Sequence, residues 1–310
     1  MPDYVLEIAE NARHIRASRG FVIIEEKATE LGRIPIDSIL TVILSADGLT
    51  LTKDFLARMA AENIPVIICG KDYMPTSIAS PLSAHYRSLG VLRKQIEASS
   101  VLYKQLWKAV VESKISNQAQ TMLACRPEAD ETAARLRDKA RRVKSGDSEN
   151  QEGQSARLYW PALFGKDFFR NPDGGGLNTA LNYGYAVLRA AVARAVCGAG
   201  LLPMLGIHHA NSYNAFCLAD DLMEPLRPLV DRLIFELSDK RETLELTPEN
   251  KRIICRLLRR KVFIGGESLA LTSTAASIAQ SLTRSLNEGR MDLKLPQLLD
   301  PPSLEQVELL

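Results

Sequence analysis

Residues 74–82, MPTSIASPL, mark the point at which the pattern of the sequence changes. Before them, apolar and β-branched runs such as FVIIEE (21–26) and SILTVIL (38–44) are typical of strands. After them, apolar residues recur at helical spacing over long segments, and strand patterns are few. The segment itself contains two prolines and small polar residues, which are typical of a linker. The sequence therefore predicts an α+β protein, in which a small N-terminal β-rich domain precedes a larger all-α domain.

We place the β-rich domain at residues 1–75, a linker at 76–90 and the α-helical domain at 91–310. One helix is expected within the first domain, over TKDFLARMAAEN (52–63) with Thr52 as its N-cap, so residues 39–69 also fit a β-α-β unit. The first turn of that unit lacks G-x-G-x-x-G, and dinucleotide binding is therefore poorly supported. Helical patterns in the second domain cover residues 83–123, 128–143, 150–163, 177–199, 218–238, 248–261 and 267–287.

The composition, with 46% hydrophobic and 25% charged residues, is that of an ordinary globular protein. No apolar run reaches the roughly 18 residues that span a bilayer, and the N-terminus lacks a secretory signal pattern. We therefore expect a cytoplasmic protein with no membrane partner. The five cysteines form no C-x-x-C pair, which argues against a zinc knuckle and predicts free thiols. The tail, residues 295–310, contains three prolines and is expected to be extended or mobile.

Residues 206–228, GIHHANSYNAFCLADDLMEPLRP, combine two of the four histidines with three acids. Asp221 and Glu224 are three positions apart and share a face if this segment is helical, although Pro225 must kink or restart the helix. A loop histidine, His208 or His209, that returns onto these acids would suit a metal ion. The alternative is a polar helix start, where acids are favoured by the helix dipole.

A further acid lies in or just before NQEGQSARLYWPALF, residues 150–164. Glu152 would occupy the first turn of this helical segment, and Glu149 precedes it. One imidazole with two carboxylates suits Mg²⁺ or Mn²⁺ better than a zinc site built from thiols. Spacing does not choose between Glu149 and Glu152.

Two basic clusters stand out in a chain whose formal net charge is only +2. Residues 133–144 contain six Lys or Arg against one acid, and residues 251–261 contain six against none. In the second cluster the arginines fall largely outside an apolar stripe, which indicates either a surface that tracks phosphates or a solvated helix face. These arginines are Arg252, Arg256, Arg259 and Arg260.

Several of these stretches together closely resemble the CRISPR-associated integrase, the catalytic subunit of the spacer-acquisition complex. The resemblance is carried, in order along nearly the whole chain, by KISNQ (114–118), EGQSARLYW (152–160), LNYGYAVLRA (181–190), G-x-x-H (206–209) and LADDLMEPLRPLVD (218–231). KISNQ is similar to the version found in type II systems. The resemblance implies a bacterial protein with a β-rich N-terminal domain used largely for dimerisation and a helical catalytic domain.

The resemblance also assigns roles to residues. It implies Glu152, His209 and Glu224 as the catalytic residues and the ligands of Mg²⁺ or Mn²⁺, and so selects Glu152 over Glu149 and His209 over His208. Asp221 would support the site or touch DNA nearby. Arg227 would contact a phosphate, with structural pairing to Asp231 as the alternative.

The implied reaction is phosphoryl transfer, in which the 3′-hydroxyl of a short DNA attacks a phosphodiester of a CRISPR repeat. The implied partners are double-stranded DNA with 3′ ends, repeat DNA, a second copy of the chain and a dimer of a small ferredoxin-like companion protein. With that companion, two homodimers would form a heterohexamer. Two other functions fit the residues alone, namely a non-catalytic DNA-binding scaffold and an unrelated metal-dependent phosphodiesterase.

Overall fold

A computed structural model describes residues 4–70, 75–79, 81, 88–238 and 244–298 of the chain. It confirms the α+β class, because strands dominate the chain up to residue 79 and helices dominate it from residue 88. The elements of the N-terminal region are β1 (Tyr4–Ile8), β2 (His14–Ser18), β3 (Phe21–Glu26), β4 (Thr29–Pro35), β5 (Ile39–Leu44), β6 (Thr50–Leu51), α1 (Lys53–Ala61), β7 (Val66–Cys69) and β8 (Pro75–Ala79).

These strands form two four-stranded sheets, in the orders β1-β5-β7-β8 and β4-β3-β2-β6. β5 and β7 pair in parallel and α1 lies between them in the chain, so the β-α-β unit expected over residues 39–69 is present. Thr52 caps α1 as predicted, since its hydroxyl accepts a hydrogen bond from the Phe55 amide at 3.2 Å. Phe55 and Met59 are fully buried in a core that also takes residues from both sheets.

The linker expected over residues 74–82 needs a correction, because Pro75–Ala79 is strand β8. It pairs antiparallel with β7 at the edge of its sheet. An edge strand tolerates proline at its first position, so Pro75 does not prevent the pairing. Within the predicted linker 76–90, residues 80 and 82–87 lie outside the described residues, and α2 begins at Ser88. The division into residues 1–75, 76–90 and 91–310 stays a prediction.

The second region is mainly helical, as predicted. Its longest helix, α3, runs for 26 residues and packs against α4, α5 and α8. No described helix is both long enough and apolar enough to cross a membrane. The helices of this region are α2 (Ser88–Glu97), α3 (Ser100–Cys125), α4 (Asp130–Arg141), α5 (Gln151–Phe164), α6 (Leu177–Gly198), α7 (Cys217–Met223), α8 (Arg227–Ser238), α9 (Pro248–Arg256) and α10 (Leu271–Glu288).

The region is not all-α, however. Three short strands, β9 (Lys261–Ile264), β10 (Glu267–Ala270) and β11 (Pro296–Gln297), form a sheet in the order β10-β9-β11. Gly265 and Gly266 both have positive φ and make the two-residue turn between β9 and β10, a conformation that glycine adopts without strain. The helical pattern predicted over 248–261 is therefore too long, because α9 ends at Arg256 and β9 begins at Lys261. The pattern predicted over 267–287 begins too early, because β10 precedes α10, which begins at Leu271. Part of the tail forms β11, and residues 299–310 lie outside the described residues.

Pro225 interrupts the helical pattern predicted over residues 218–238. α7 ends at Met223, a single 3-10 turn spans Glu224–Leu226, and α8 starts at Arg227. This interruption confirms the predicted restart of the helix. Proline is accepted at the first turn of a new helix because the amide that it lacks would have no helical partner there. Glu224 lies in the turn before the restart and pairs with Lys114 of α3.

Candidate metal site and nucleic-acid surface

Glu152 lies in the first turn of α5, which is fixed by two side-chain caps. Asn150 accepts a hydrogen bond from the Gly153 amide at 2.9 Å. The Asp147 carboxylate accepts the amides of Gln151 and Glu152 at 2.8 and 3.0 Å. These contacts satisfy amides that have no partner within the helix and set the direction of the Glu152 side chain.

Glu149, the alternative that spacing left open, lies elsewhere. Its carboxylate is exposed and pairs with the exposed Lys144. That contact holds the pKa of Glu149 below its usual value, since a hydrogen-bonded ammonium favours the charged carboxylate. Glu152 instead pairs with Lys114, which also pairs with Glu224.

Lys114, on α3, lies between two carboxylates. Its Nζ is 2.6 Å from Glu152 Oε1 and 2.5 Å from Glu224 Oε2, and its side chain is only 13% exposed. Burial would lower the pKa of Lys114, but Glu224 and Glu152 together raise it above its usual value. The ammonium is therefore charged and joins the two acids.

Glu224 occupies the 3-10 turn between α7 and α8 and is buried. Burial raises the pKa of a carboxyl, but Arg227 and Lys114 outweigh it here and lower the pKa of Glu224 below its usual value. Arg227 Nη2 is 3.0 Å from Glu224 Oε1, and its guanidinium lies over the Tyr185 ring, 4.9 Å from the centroid. The carboxylate is thus ionised although it is buried.

The partner considered for Arg227 from spacing alone, Asp231, makes different hydrogen bonds. Its carboxylate accepts the hydroxyls of Tyr159, at 3.0 Å, and Tyr185. Asp231 is fully buried, and this burial raises its pKa to about 6 despite the two hydroxyls and the nearby Arg227.

His209 is oriented by Asp221. Asp221 is completely buried, and its Oδ1 lies 2.5 Å from His209 Nδ1. The same carboxylate accepts three consecutive backbone amides, those of Ile207 (2.5 Å), His208 (2.9 Å) and His209 (3.3 Å). The hydrogen bond to Asp221 raises the pKa of His209. Because Nδ1 donates to the carboxylate, Nε2 is the ring atom left for a ligand.

Gly206 allows this loop to wrap around Asp221. A methyl group at Gly206 would lie 2.8 Å from Asp221 Oδ2 and would also overlap the carbonyl oxygen of His209. The neighbouring histidine, His208, stacks on Trp107, with ring centroids 4.3 Å apart and planes inclined by 5°. The edge of the His209 ring also lies against Trp107, with centroids 5.7 Å apart, and Asp221 holds the His209 ring through Nδ1.

Asn117, one helical turn after Lys114, fixes the floor of the site. Its buried amide donates to the carbonyls of Pro225, at 2.8 Å, and Pro296, at 3.1 Å. Its Oδ1 accepts the Leu298 amide at 3.1 Å. One side chain thereby connects α3, the turn that carries Glu224, and strand β11.

Glu152, Glu224 and His209 supply atoms of the kinds that a divalent cation binds, but in this structure these atoms are too far apart to hold one. Two carboxylates and a neutral imidazole nitrogen suit Mg²⁺ or Mn²⁺. Glu224 Oε2 is paired with the Lys114 ammonium at 2.5 Å, and Oε1 is paired with Arg227, so an ion that binds Glu224 must compete with one of these cations. Over the described ranges, no three His, Cys, Asp or Glu side chains are grouped closely enough to hold an ion. All five cysteines are free, as expected.

The predicted basic face of residues 251–261 is present on α9 and the turn after it. Ile254, Leu257 and Leu258 are buried as the apolar stripe. Arg252, Arg256 and Arg259 are exposed. Arg260 differs, because it is partly buried, and this burial lowers its pKa.

The structure places the predicted residues in two neighbouring contact groups. Glu152, Glu224 and Arg227 are joined through Lys114 and the Arg227 ion pair, and His209 is joined to Asp221. The pKa of His209 is raised first by its hydrogen bond to Asp221 and further by the charges of Glu224 and Glu152. Sequence reasoning did not assign a role to Lys114. A signal was available, because this lysine sits next to the apolar Val110, Val111 and Ile115 of α3, where a charged residue needs a partner.

The buried, ionised Glu224 and the oriented imidazole of His209 indicate a candidate active site, and the basic helix face fits a nucleic-acid backbone. The family model described as CRISPR associated protein Cas1 matches residues 6–262. The chain is 35% identical over 294 residues to the CRISPR-associated endonuclease Cas1 of Neisseria meningitidis serogroup C (strain 8013), with 94% of this chain and 95% of that protein covered. The chain therefore belongs to the Cas1 family, which confirms the family and the enzyme class predicted from the sequence.

Solved structures agree in fold. A casposase bound to integration product has a TM-score of 0.79 at 19% identity, with 98% of each chain covered. A chain of a Cas6-RT-Cas1–Cas2 complex has a TM-score of 0.75 at 20% identity, with 96% of this chain and 36% of that chain covered. A β-rich region followed by a helical region is thus shared with both.

Proposed function

We propose that this chain is a metal-dependent DNA integrase that inserts short DNA into a CRISPR array, with Glu152, His209 and Glu224 as its catalytic metal ligands. The observation that carries the proposal is the meeting of three distant segments. Glu152 from α5 and Glu224 from the α7–α8 turn share one ammonium, and Asp221 orients His209, whose pKa is raised first by that hydrogen bond and further by the charges of both glutamates. The family relationship supports the DNA substrate.

The cation is Mg²⁺ or Mn²⁺ in this proposal, because the donors are two carboxylates and one imidazole. When bound, it supplies Lewis-acid polarisation of the phosphodiester and stabilises charge on the transferring oxygens. The protein keeps Glu224 ionised through Arg227 and holds His209 by its Nδ1 through Asp221, which leaves Nε2 as the ligand atom. These contacts preorganise the ligands before DNA arrives.

No side chain acts as the nucleophile. The 3′-hydroxyl of the incoming DNA attacks a repeat phosphorus, a new P–O bond forms, and the bond to the 3′-oxygen of the flanking strand breaks. That oxygen leaves and takes up a proton, so one phosphodiester replaces another without an external energy source. Arg227, which lies at the cluster, would hold a non-bridging phosphate oxygen.

The basic face would hold the DNA backbone. Arg252, Arg256 and Arg259 are exposed along one surface and can contact phosphates without reading sequence. Arg260 is a weaker candidate because it is partly buried.

For the assembly, we propose a homodimer formed through the N-terminal sheets and two such dimers around a dimer of the small ferredoxin-like companion. The support is that one structure of similar fold is named as a complex of Cas1 with Cas2.

A strand-transfer assay tests the proposal. Labelled duplex DNA with 3′-hydroxyl ends is mixed with a supercoiled plasmid carrying a repeat, the companion protein and Mg²⁺ or Mn²⁺. The wild-type protein should join label to plasmid only when metal is present, and Glu152→Ala, His209→Ala and Glu224→Ala should lose joining but still bind DNA. Glu149→Ala is the matched control and should join normally.

The alternatives give different results. A scaffold binds DNA in every variant and joins none, wild type included. An unrelated phosphodiesterase cleaves a small model diester without DNA. Joining by Glu152→Ala at the wild-type rate would contradict the proposed set of metal ligands.

A further inference from the structure

Lys114 places a positive charge where the two proposed ligand carboxylates meet. Its Nζ lies within 2.6 Å of an oxygen of each acid, and both contacts are made by one ammonium. Without it, the two carboxylates would repel one another across a partly buried site. The ammonium therefore holds Glu152 and Glu224 together in the metal-free protein.

A cation that uses both acids competes with this ammonium. Glu224 Oε2 and Glu152 Oε1, the oxygens nearest Nζ, face the same point. Glu224 Oε1 is already paired with Arg227, so an ion that leaves Arg227 in place must use Oε2, the oxygen that Lys114 holds. The Lys114 ammonium and a divalent cation cannot both lie at contact distance from these two oxygens.

The Lys114 side chain can also move away from the two carboxylates towards solvent. Exposure of the side chains rises from 4% at Glu224 through 13% at Lys114 to 26% at Glu152, so the cluster opens to solvent on the Glu152 side. A lysine ammonium stands on a flexible four-carbon stem with three rotatable donors. Arg227 is more rigid and is held by the Tyr185 ring, so Lys114 is the cation able to move.

We propose that Lys114 is an internal counter-ion that holds Glu152 and Glu224 until a divalent cation displaces its ammonium from both carboxylates. This inference rests on the metal site of the proposed function. It makes Lys114 a positioning residue that sets metal affinity, because every binding event must first break two ion pairs. It also places a released ammonium at the edge of the site, where DNA phosphates arrive.

Two measurements on metal binding, neither of which depends on catalysis, test this exchange. In the first, an amine-acylating reagent is applied to the full wild-type chain with and without Mn²⁺, and modification at each lysine is quantified by mass spectrometry. Modification of Lys114 should rise several-fold with Mn²⁺. Lys144, which pairs with Glu149 on the surface, is the matched control and should not change.

In the second, calorimetry compares Mn²⁺ binding to wild type and to Lys114→Met, which keeps the volume of the side chain and removes its charge. The dissociation constant should fall about tenfold or more, because the competitor is gone. The metal-free variant should also melt at a lower temperature than wild type, and Mn²⁺ should restore it.

The outcomes separate this inference from the proposed function. Mn²⁺ binding with unchanged Lys114 modification overturns the exchange but leaves the metal site standing, even if Lys114→Met binds more tightly. An unchanged or weaker affinity in the variant also overturns it. Absence of Mn²⁺ binding by wild type, with or without DNA, overturns both the exchange and the metal site.

Discussion

Asp221→Asn tests how much the buried carboxylate contributes to the loop that carries His209. The substitution keeps the size of the side chain but removes its charge and replaces one oxygen with an NH₂ group. Asp221 Oδ2 accepts the amides of Ile207 and His208, and Oδ1 accepts the amide and the Nδ1 of His209. Each oxygen therefore serves two donors.

The magnitude follows from this arrangement. The single oxygen of asparagine can serve only one pair of donors, and its NH₂ group then faces the other pair. Two donors lose the acceptor that the completely buried Asp221 gave them, although His208 and His209 are themselves exposed. At about 1–3 kcal/mol for each unsatisfied group, with the exposed donors at the low end, the free energy of unfolding should fall by about 2–4 kcal/mol.

Urea unfolding of the two proteins measures this loss. Asp138→Asn is the control, since Asp138 forms only exposed pairs with Arg141 and Arg142, and its effect should stay within about 0.5 kcal/mol. Calorimetry should also show about 10–100-fold weaker Mn²⁺ binding to Asp221→Asn, because His209 loses its fixed tautomer. A stability change below about 1 kcal/mol together with unchanged Mn²⁺ affinity would refute the reasoning about the loop.

Three further outcomes are expected. Gly206→Ala should lose about 1–3 kcal/mol in urea unfolding because the methyl group overlaps Asp221, whereas Gly90→Ala, with open space at its Cβ, should not be destabilised. Asp231 has a folded-state pKa raised to about 6, so the folded protein binds its proton more tightly than the unfolded chain does. As the pH rises from about 4 to about 6, wild type should lose roughly 2 kcal/mol relative to Asp231→Asn, and parallel stability curves would contradict this. Replacing Arg252 and Arg256 with Gln should weaken DNA binding and reduce the slope of log affinity against log salt by about one for each phosphate that is no longer neutralised, and an unchanged slope would exclude them from the DNA surface.

The order of strands and helices could be predicted from the sequence where the pattern was long or strong. The runs at 21–26 and 39–44 became strands, and the change to helices near residue 88 followed the change in apolar spacing. The sheet of β9, β10 and β11 was missed because its strands have only two to four residues, and because β11 pairs with a strand far away in the chain. Such short elements are stabilised by their partners and not by their own pattern.

Side-chain partners were harder to predict than elements. Spacing suggested Asp231 for Arg227, since residues four apart meet on a helix. The structure pairs Arg227 with Glu224 instead, and Asp231 takes two tyrosine hydroxyls from α5 and α6. The partners of Asp231 are 72 and 46 positions away, and helical periodicity contains no information about such contacts.

Lys114 illustrates the same limit at the candidate site. Its three-body contact depends on α3, α5 and the α7–α8 turn reaching one point, so no local pattern could show it. The order of acids, histidine and aromatic residues along the chain indicated the family, but not the ammonium between the two carboxylates.

The hydrogen bonds of Asn117 also order events during synthesis. Its third partner, Leu298, leaves the ribosome 181 residues after Asn117 itself, so the floor beneath Lys114 stays incomplete until most of the chain has been translated. A product interrupted before Pro296 has a buried amide with one of its three hydrogen bonds and a loosened α3. Such a fragment lacks the floor of the site, so truncation close to the C-terminal end of the described chain should be felt at Lys114.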